Sequence, residues 1–340
     1  MINLDRKEIN FIGHRKVFFT ISAILVVCAV LAMGIRGLSF GTEFTGGSSI
    51  TYASVDQSVS EDQVRNAFAD AGYDGELVVQ TVSSGDGDGY LVRIDETDVQ
   101  AAEQIASTVA DELSVADQDV QVSTIGPNWG SDVVKNSLIA LAVSMILIIA
   151  YVWIRYREYK MGVTAVAALF HDIIIVVGIY ALIGHEITPN TVAALLTIMG
   201  YSLYDTIVTF HRINENNAGE GMKQSFWTVA NHSINQVLRR TINTTLTSIV
   251  PVACMLVLGG ATLQDFALAM VIGLLCGSYS SFAVATPLYA IWKNREDSIA
   301  KQNRRYGDEV NTNTAQICGY VYFENETAAA DANDKTVATA

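Results

Sequence analysis

Six apolar runs, each about the length that crosses a bilayer as a helix, decide what this chain can fold into. They lie at residues 17–35, 137–154, 161–183, 191–210, 241–258 and 266–292. Composition agrees. Half of the 340 residues are hydrophobic and only 16% are charged, where a soluble domain carries about 25%. That balance excludes a disordered chain and argues against an ordinary cytosolic enzyme. The fourth and fifth runs are less apolar than the rest, which reads as helices facing a polar interior.

Charge separates the chain into two parts. Residues 37–134 hold 18 acidic residues and two basic ones, Arg65 and Arg93, within a chain of net charge −14. The remainder is weakly basic. A net negative chain with no basic cluster argues against nucleic-acid binding. The loops then set an orientation. Arg6, Lys7, Arg15 and Lys16 precede the first run, and Arg155, Arg157 and Lys160 join the second to the third. Arg212, Lys223, Arg239 and Arg240 join the fourth to the fifth, and Lys293, Arg295, Lys301, Arg304 and Arg305 follow the sixth. Loops 184–190 and 259–265 contain no Lys or Arg. The positive-inside rule places both termini in the cytoplasm and residues 37–134 outside. The first run has a basic flank like a signal peptide. It lacks an A-x-A site, and the Leu-Val-Val before Cys28 is too bulky for lipoprotein cleavage, so an uncleaved anchor is preferred.

Residues 37–134 alternate in period. Strands are expected at 48–52, 76–82, 90–94 and 120–124, and helices at 60–71 and 98–113, with Ser60 as an N-cap. The order β-α-β-β-α-β is the ferredoxin-like, split-βαβ pattern. This α+β segment has no His and no Cys. Its carboxylates read as solvated surface; a calcium site at Asp86 and Asp88 is the minority reading. The four cysteines, Cys28, Cys254, Cys276 and Cys318, form no CxxC or His/Cys cluster, so no metal site is expected. Residues 1–16 and 293–340 read as cytoplasmic ends, the latter without fixed structure.

Ionisable residues inside apolar runs carry the functional weight, because a charge at the bilayer centre costs about 2.5–3.5 kcal/mol on insertion scales. Asp205 stands about three-quarters along the fourth run. It reads either as a carboxyl that loads and unloads a proton or as a structural bond between helices. Arg240 opens the fifth run and is followed by Thr241, Asn243 and Thr245, a polar face able to guide water. Asp172, beside His171, reads first as a structural bond and second as a further relay position. His185 and His211 lie near run ends and read as interfacial. Gly273 and Gly277 form a small-residue packing signal. No nucleotide-binding, nucleophile-elbow or zinc motif is present. No catalytic residues and no organic cofactor are expected.

Several separated stretches then resemble one family. Residues 40–47, FGTEFTGG, are similar to the F-G-x-D-F-T-G-G that follows the first span of SecF, a member of the SecD/SecF group within the RND superfamily; Phe44, Gly46 and Gly47 carry this match. Ile125-Gly126-Pro127 and Leu169-Phe170-His171-Asp172 resemble its V-G-P and L-x-H-D. Residues 200–216 and 233–247 resemble its fourth- and fifth-span motifs, and 259–287 its last span. The chain departs from the family pattern at Glu43, Tyr204, His211 and Asn214.

The resemblance implies an α-helical polytopic membrane protein, half of an RND-type bundle, in the cell membrane of a prokaryote. It implies that Asp205 is the proton-relay aspartate and Arg240 its partner. It further implies an accessory subunit of protein export that uses the proton motive force with SecD. The SecYEG channel, SecA-driven preprotein and, as an optional neighbour, YajC would be its partners. The coupling ion is H⁺ or Na⁺, since one carboxyl beside hydroxyls suits either. The alternatives are a proton-coupled exporter of small molecules or lipids, and a passive scaffold.

Overall fold

A computed structural model describes residues 8–53, 55, 59–75, 77–84, 87–156, 158–218 and 224–313. Arg6, Lys7, Asp86, Arg157, Lys223 and the tail from 314 onward, with Cys318, lie outside the described residues. The fold is mostly helical, with six helices long and apolar enough to cross a membrane. They are α1 (Arg15–Arg36), α5 (Pro127–Tyr156), α6 (Tyr159–Ile183), α7 (Pro189–Asn217), α8 (Phe226–Leu258) and a sixth, interrupted helix. The last comprises α9 (Ala261–Ser280), a π-turn (Ser281–Ala285) and α10 (Thr286–Lys293).

Between α1 and α5 lie α2 (Thr42–Thr45), β1 (Gly47–Tyr52), α3 (Glu61–Asp70), β2 (Leu77–Ser84), β3 (Gly87–Ile94), α4 (Val99–Glu112) and β4 (Val120–Ile125). The β-α-β-β-α-β order is the one the sequence pattern predicts. All pairings are antiparallel and the sheet order is β2-β3-β1-β4, with Ile50 opposite Val92 on one side and Val122 on the other. Period-two alternation places Ile50, Tyr52, Val92 and Ile94 on the face covered by α3 and α4, against Val64, Phe68 and Val109. Both helices start where the chain can cap them. Ser60 and Gln63 form a capping box, and the Asp98 carboxylate accepts from the backbone N–H groups of Gln100 and Ala101.

The other face of the sheet looks toward the membrane body. Ser49, Thr51, Arg93, Gln121 and Ser123 line it, across an open cleft of about 760 Å³ from the α6–α7 loop. The two parts are stitched together by backbone bonds. Gly41 N–H donates to the Ile187 carbonyl at 2.9 Å, and Ile187 N–H donates to the Ser39 carbonyl at 2.8 Å.

In the membrane body α6, α7 and α9 form the centre, while α1, α5 and α8 lie outside them. Gly273 and Gly277 are the reason α9 sits so close to α7. A Cβ on Gly273 would fall 2.2 Å from the Ile198 side chain, and one on Gly277 would fall 2.9 Å from Ser202 Cβ. The small-residue signal is therefore a real close approach. One apolar cluster around Phe210, Phe226 and Tyr289 closes one end of the bundle, and a second around Tyr180, Ile198 and Met270 closes the other.

Three features differ from the sequence reading. Helix α8 starts at Phe226, fifteen residues before the expected span, because Ser225 caps it and its first turns pack into the Phe226 cluster. The fifth helix faces the interior with one side only: Thr241, Thr245 and Ser248 turn inward, while Ile242, Asn243, Thr244, Leu246 and Thr247 are exposed on it. The segment after Lys293 begins with a helix, α11 (Asp297–Tyr306), where no fixed structure was expected. Its polar composition hid a narrow docking face. Ile299 and Asn303 are buried, and the Asn303 carboxamide oxygen accepts from the Phe226 backbone N–H at 2.8 Å.

Candidate functional site

Asp205 is carried on α7, whose start is fixed by the Thr188 capping box with Pro189 in its first turn. The Asp205 side chain is half-buried beside a cleft of about 200 Å³ between α7, α8 and α9. Tyr201, Ser202 and Tyr204 line that cleft from α7, Thr244, Thr245 and Ser248 from α8, and Gly277 and Ser278 from α9. Thr241 is buried and faces the Asp205 carboxyl. The hydroxyls are partly occupied by their own helices: Thr244 and Thr245 both donate to the Thr241 carbonyl, at 2.9 and 2.8 Å. Thr245 also bonds Ser278 across the α8–α9 interface. The cleft is thus a small polar opening in an otherwise apolar wall.

Arg240 is exposed on α8 and does not form an ion pair with Asp205. Its Nη2 donates to the Tyr204 hydroxyl at 2.5 Å, with the guanidinium 5.5 Å from the ring centroid. It stays within electrostatic reach of Asp205. Tyr204, noted in the sequence only as a departure from the family pattern, is therefore the residue that holds the arginine. Asn243 is exposed on the same helix, away from the cleft lining. Arg239 is also exposed, in mid-helix rather than in a loop.

Asp172 lies apart from this arrangement, at the centre of the bundle and 1% exposed. Its Oδ2 accepts from Ser202 Oγ at 2.7 Å and from Ser280 Oγ at 2.8 Å, and its Oδ1 pairs with His171 Nδ1 at 3.1 Å. Three helices, α6, α7 and α9, thus meet on one carboxylate. The π-turn follows directly after Ser280, and Thr286 closes it by donating to the Ser281 carbonyl at 2.8 Å. Such turns concentrate at functional positions in helices. Nothing in the sequence singled out Ser280. Ser202 stood in plain view in the 200–216 stretch without a role.

The FGTEFTGG stretch performs a structural task at the base of the sheet. Gly47 has φ +110°, and a Cβ there would fall 2.4 Å from the Ile94 carbonyl oxygen, so only glycine fits. Gly46, at φ +79°, ends α2. Phe44 packs against the Tyr180 cluster and edge-on to Phe40. Glu43 lies beside Arg93, and Arg93 forms an ion pair with Glu186 on the α6–α7 loop. Gln80 Nε2 also donates to Glu186, at 3.0 Å. Burial pulls the Arg93 guanidinium down, opposed by the charges of Glu43 and Asp265. Arg93 was legible as one of two cations in a strongly acidic segment; Glu186 carried no signal. His185 pairs with Asp265 at 3.2 Å and stacks on Tyr180, so it is a joint rather than a free interfacial group.

Comparison with known proteins decides the family. Residues 105–295 match the model described as protein export membrane protein SecD/SecF, C-terminal. A protein translocase subunit SecF from Streptomyces coelicolor is 37% identical over 87% of this chain and 80% of its own length. The chain belongs to the SecD/SecF family. A SecF from Desulfurispirillum indicum is likewise 37% identical, over 84% of this chain and 92% of that protein. The crystal structure of SecDF from a Thermus species, titled a translocon-associated membrane protein, superposes with a TM-score of 0.78 at 33% identity. It covers 87% of this chain, which spans 40% of that longer SecDF chain. Six apolar helices and these SecD/SecF relatives make this a multi-pass membrane protein.

Proposed function

We propose that this chain is an accessory subunit of Sec protein export that couples the proton gradient to late steps of preprotein movement, with Asp205 as the coupling carboxyl. The observation that carries the reading is the placement of Asp205: half-buried, without an arginine ion pair, beside a polar cleft on the outer flank of α7. A carboxyl so placed exchanges protons with water, and a change of its charge is felt by Arg240 on the next helix. Moving one elementary charge across the membrane is worth about 2.3 kcal/mol per 100 mV.

The polar strip of α8, with Arg240, Asn243, Thr244 and Thr247, is exposed on the outside of this chain and expensive against lipid. A SecD-like set of helices is the cover we propose for it. Relatives named SecDF, such as those of Thermus thermophilus and Bacillus subtilis, contain a segment like this chain within one longer polypeptide. The SecYEG channel, SecA-driven preprotein and YajC are further partners on this reading, with both termini cytoplasmic and residues 37–134 outside. The coupling ion is H⁺; Na⁺ is the alternative that the same carboxyl and hydroxyls accommodate.

The test uses proteoliposomes holding this chain, its SecD-like partner, the channel and the export motor. A stalled preprotein is completed under an imposed proton gradient after ATP is exhausted. Wild type is expected to finish and Asp205→Asn to stall, with equal assembly. Equal completion by both overturns the coupling role. Proton flux driven by a small molecule, in the absence of any SecD-like partner, would support an exporter instead.

A further inference from the structure

Asp172 is a carboxyl in the middle of the bundle whose hydrogen-bond partners are two serine hydroxyls and one imidazole. Among the described residues no lysine or arginine pairs with it. A carboxylate 1% exposed with no cation beside it is costly in a protein interior, and more so inside a membrane. The group able to neutralise it is His171, 7% exposed.

The imidazole is poised for that task. When neutral, it donates from Nδ1 to the Asp172 carboxylate, which leaves the Nε2 lone pair free. Nε2 is buried and has no hydrogen-bond partner. A buried imidazole nitrogen normally finds a partner. Here the carboxylate fixes the tautomer and orients the ring, leaving Nε2 as the open nitrogen.

The other groups facing this pair leave it as the place where a proton resides. From α9, Tyr279 stacks on the imidazole at 6.4 Å between ring centroids, and Cys276 lies within the field of Asp172. From α1, Ser22 bonds the Tyr279 hydroxyl, at 3.2 Å. From α7, Ser202 donates to Asp172 and at the same time lines the cleft beside Asp205. One serine thus bonds Asp172 and lines the cleft beside Asp205.

We propose that His171 and Asp172 form a second proton-binding site of the membrane body, taking up one proton at the unpaired Nε2 of His171 and holding the imidazolium against the Asp172 carboxylate. Uptake adds one N–H bond, breaks none within the pair, and moves its net charge from −1 to zero; water supplies the proton. Ser202 links the state of this pair to the Asp205 cleft. The proposal deepens the proton-coupled reading, but it can be tested apart from it.

The test is nitrogen-resolved NMR of ¹⁵N-histidine-labelled full chain, with its SecD-like partner in lipid nanodiscs, across pH 5–9. The His171 signal is assigned by its loss in His171→Gln. Wild type is expected to show one proton added at Nε2 and the Nδ1–H tautomer at high pH. Asp172→Asn should abolish the tautomer preference, and Asp205→Asn should preserve the titration. A His171 that stays in one protonation state throughout, or whose neutral form carries its hydrogen on Nε2, overturns the proposal. In the proteoliposome assay His171→Gln is expected to reduce proton-driven completion roughly tenfold. If Asp205→Asn keeps full completion while His171 still titrates, the coupling role of Asp205 fails and the second site stands.

Discussion

The Arg240 guanidinium of α8 is held by Tyr204 of α7, its Nη2 donating to the phenol oxygen at 2.5 Å, and not by Asp205, the next residue along α7. The cation that the family resemblance pairs with the carboxyl is therefore held by the neighbouring tyrosine in this conformation. Removing the phenol oxygen loosens the arginine while the ring keeps its place in the cleft wall. Tyr204→Phe keeps the ring and its cation–π contact and loses one charge-assisted hydrogen bond, worth about 1.5–3 kcal/mol. Assembly with the SecD-like partner is expected to be unchanged. Proton-driven completion of translocation should change roughly tenfold or less, whereas Arg240→Ala should abolish it. Identical completion rates for wild type and Tyr204→Phe would show that the contact plays no part in the cycle.

Arg93 is the cation that fastens the sheet to the membrane body, against Glu186 and beside Glu43 and Asp265. Arg93→Ala leaves buried carboxylates without a countercharge, a loss of about 3–5 kcal/mol for breaking a buried pair. The expected result is a lower melting temperature in detergent and faster amide exchange in residues 39–47 and 184–190. Arg93→Met combined with Glu186→Leu should recover part of the loss, because Glu186, the ion-pair partner, is then not stranded, while Glu43 remains. A double variant as unstable as the single one would mean that shape rather than charge makes the joint.

Gly47 sits at φ +110° with its missing Cβ aimed at the Ile94 carbonyl. Gly47→Ala combines a backbone penalty of about 1–2 kcal/mol with a clash. It should lower thermal stability clearly, measured beside Gly34→Ala, where nothing lies within 4 Å and the helix is expected to gain slightly. Equal melting temperatures for the two variants would remove the structural account of the motif.

The α11 anchor should be acid-labile. Burial pushes the Glu296 carboxyl up, but the hydrogen bond from Lys160 and the charges of Lys293 and Lys160 outweigh it and hold the pKa below the ordinary 4.5. A depressed acid contributes stability above its unfolded value, and that contribution disappears as pH falls through the lower folded value. Limited proteolysis near residues 297–306 is therefore expected to accelerate below about pH 4.5 in wild type. Glu296→Gln should show the faster cleavage already at pH 7. Cleavage independent of pH would detach α11 from this ion network.

Much of this architecture was legible because hydrophobicity and charge act locally. Length and apolarity marked the six spans, and period-two and period-3.6 patterns marked the strands and helices between Gly47 and Ile125. The sites were legible only in part, because a site is made by contacts between distant segments. Asp205 and Asp172 stood out as charges in apolar runs, yet the two serines that hold Asp172 come from 30 and 108 positions away in sequence. The π-turn had no sequence signal, since the Ser280 and Thr286 hydroxyl bonds that flank it are visible only in the folded chain. The α11 docking face was hidden by its polar composition.

The two intramembrane aspartates differ in how the structure uses them, and truncation separates their roles. Asp172→Ala strands the Ser202 hydroxyl and the His171 imidazole in a buried site, each unsatisfied group costing about 1–3 kcal/mol, while Ser280 keeps its bond to the Gly277 carbonyl. The prediction is a large fall in melting temperature and weaker assembly. Asp205→Ala opens into an existing cleft, where Thr241 and the charge of Arg240 face the carboxyl and no buried network depends on it, so its melting temperature should stay close to wild type. Its proton-driven completion should nonetheless be lost. Thermal unfolding of the purified complexes, measured next to the translocation assay, gives both readings. If Asp205→Ala is as unstable as Asp172→Ala, Asp205 is a structural bond, and this chain acts in export as a scaffold. If it is stable and inactive, the charge in the cleft is there to move protons.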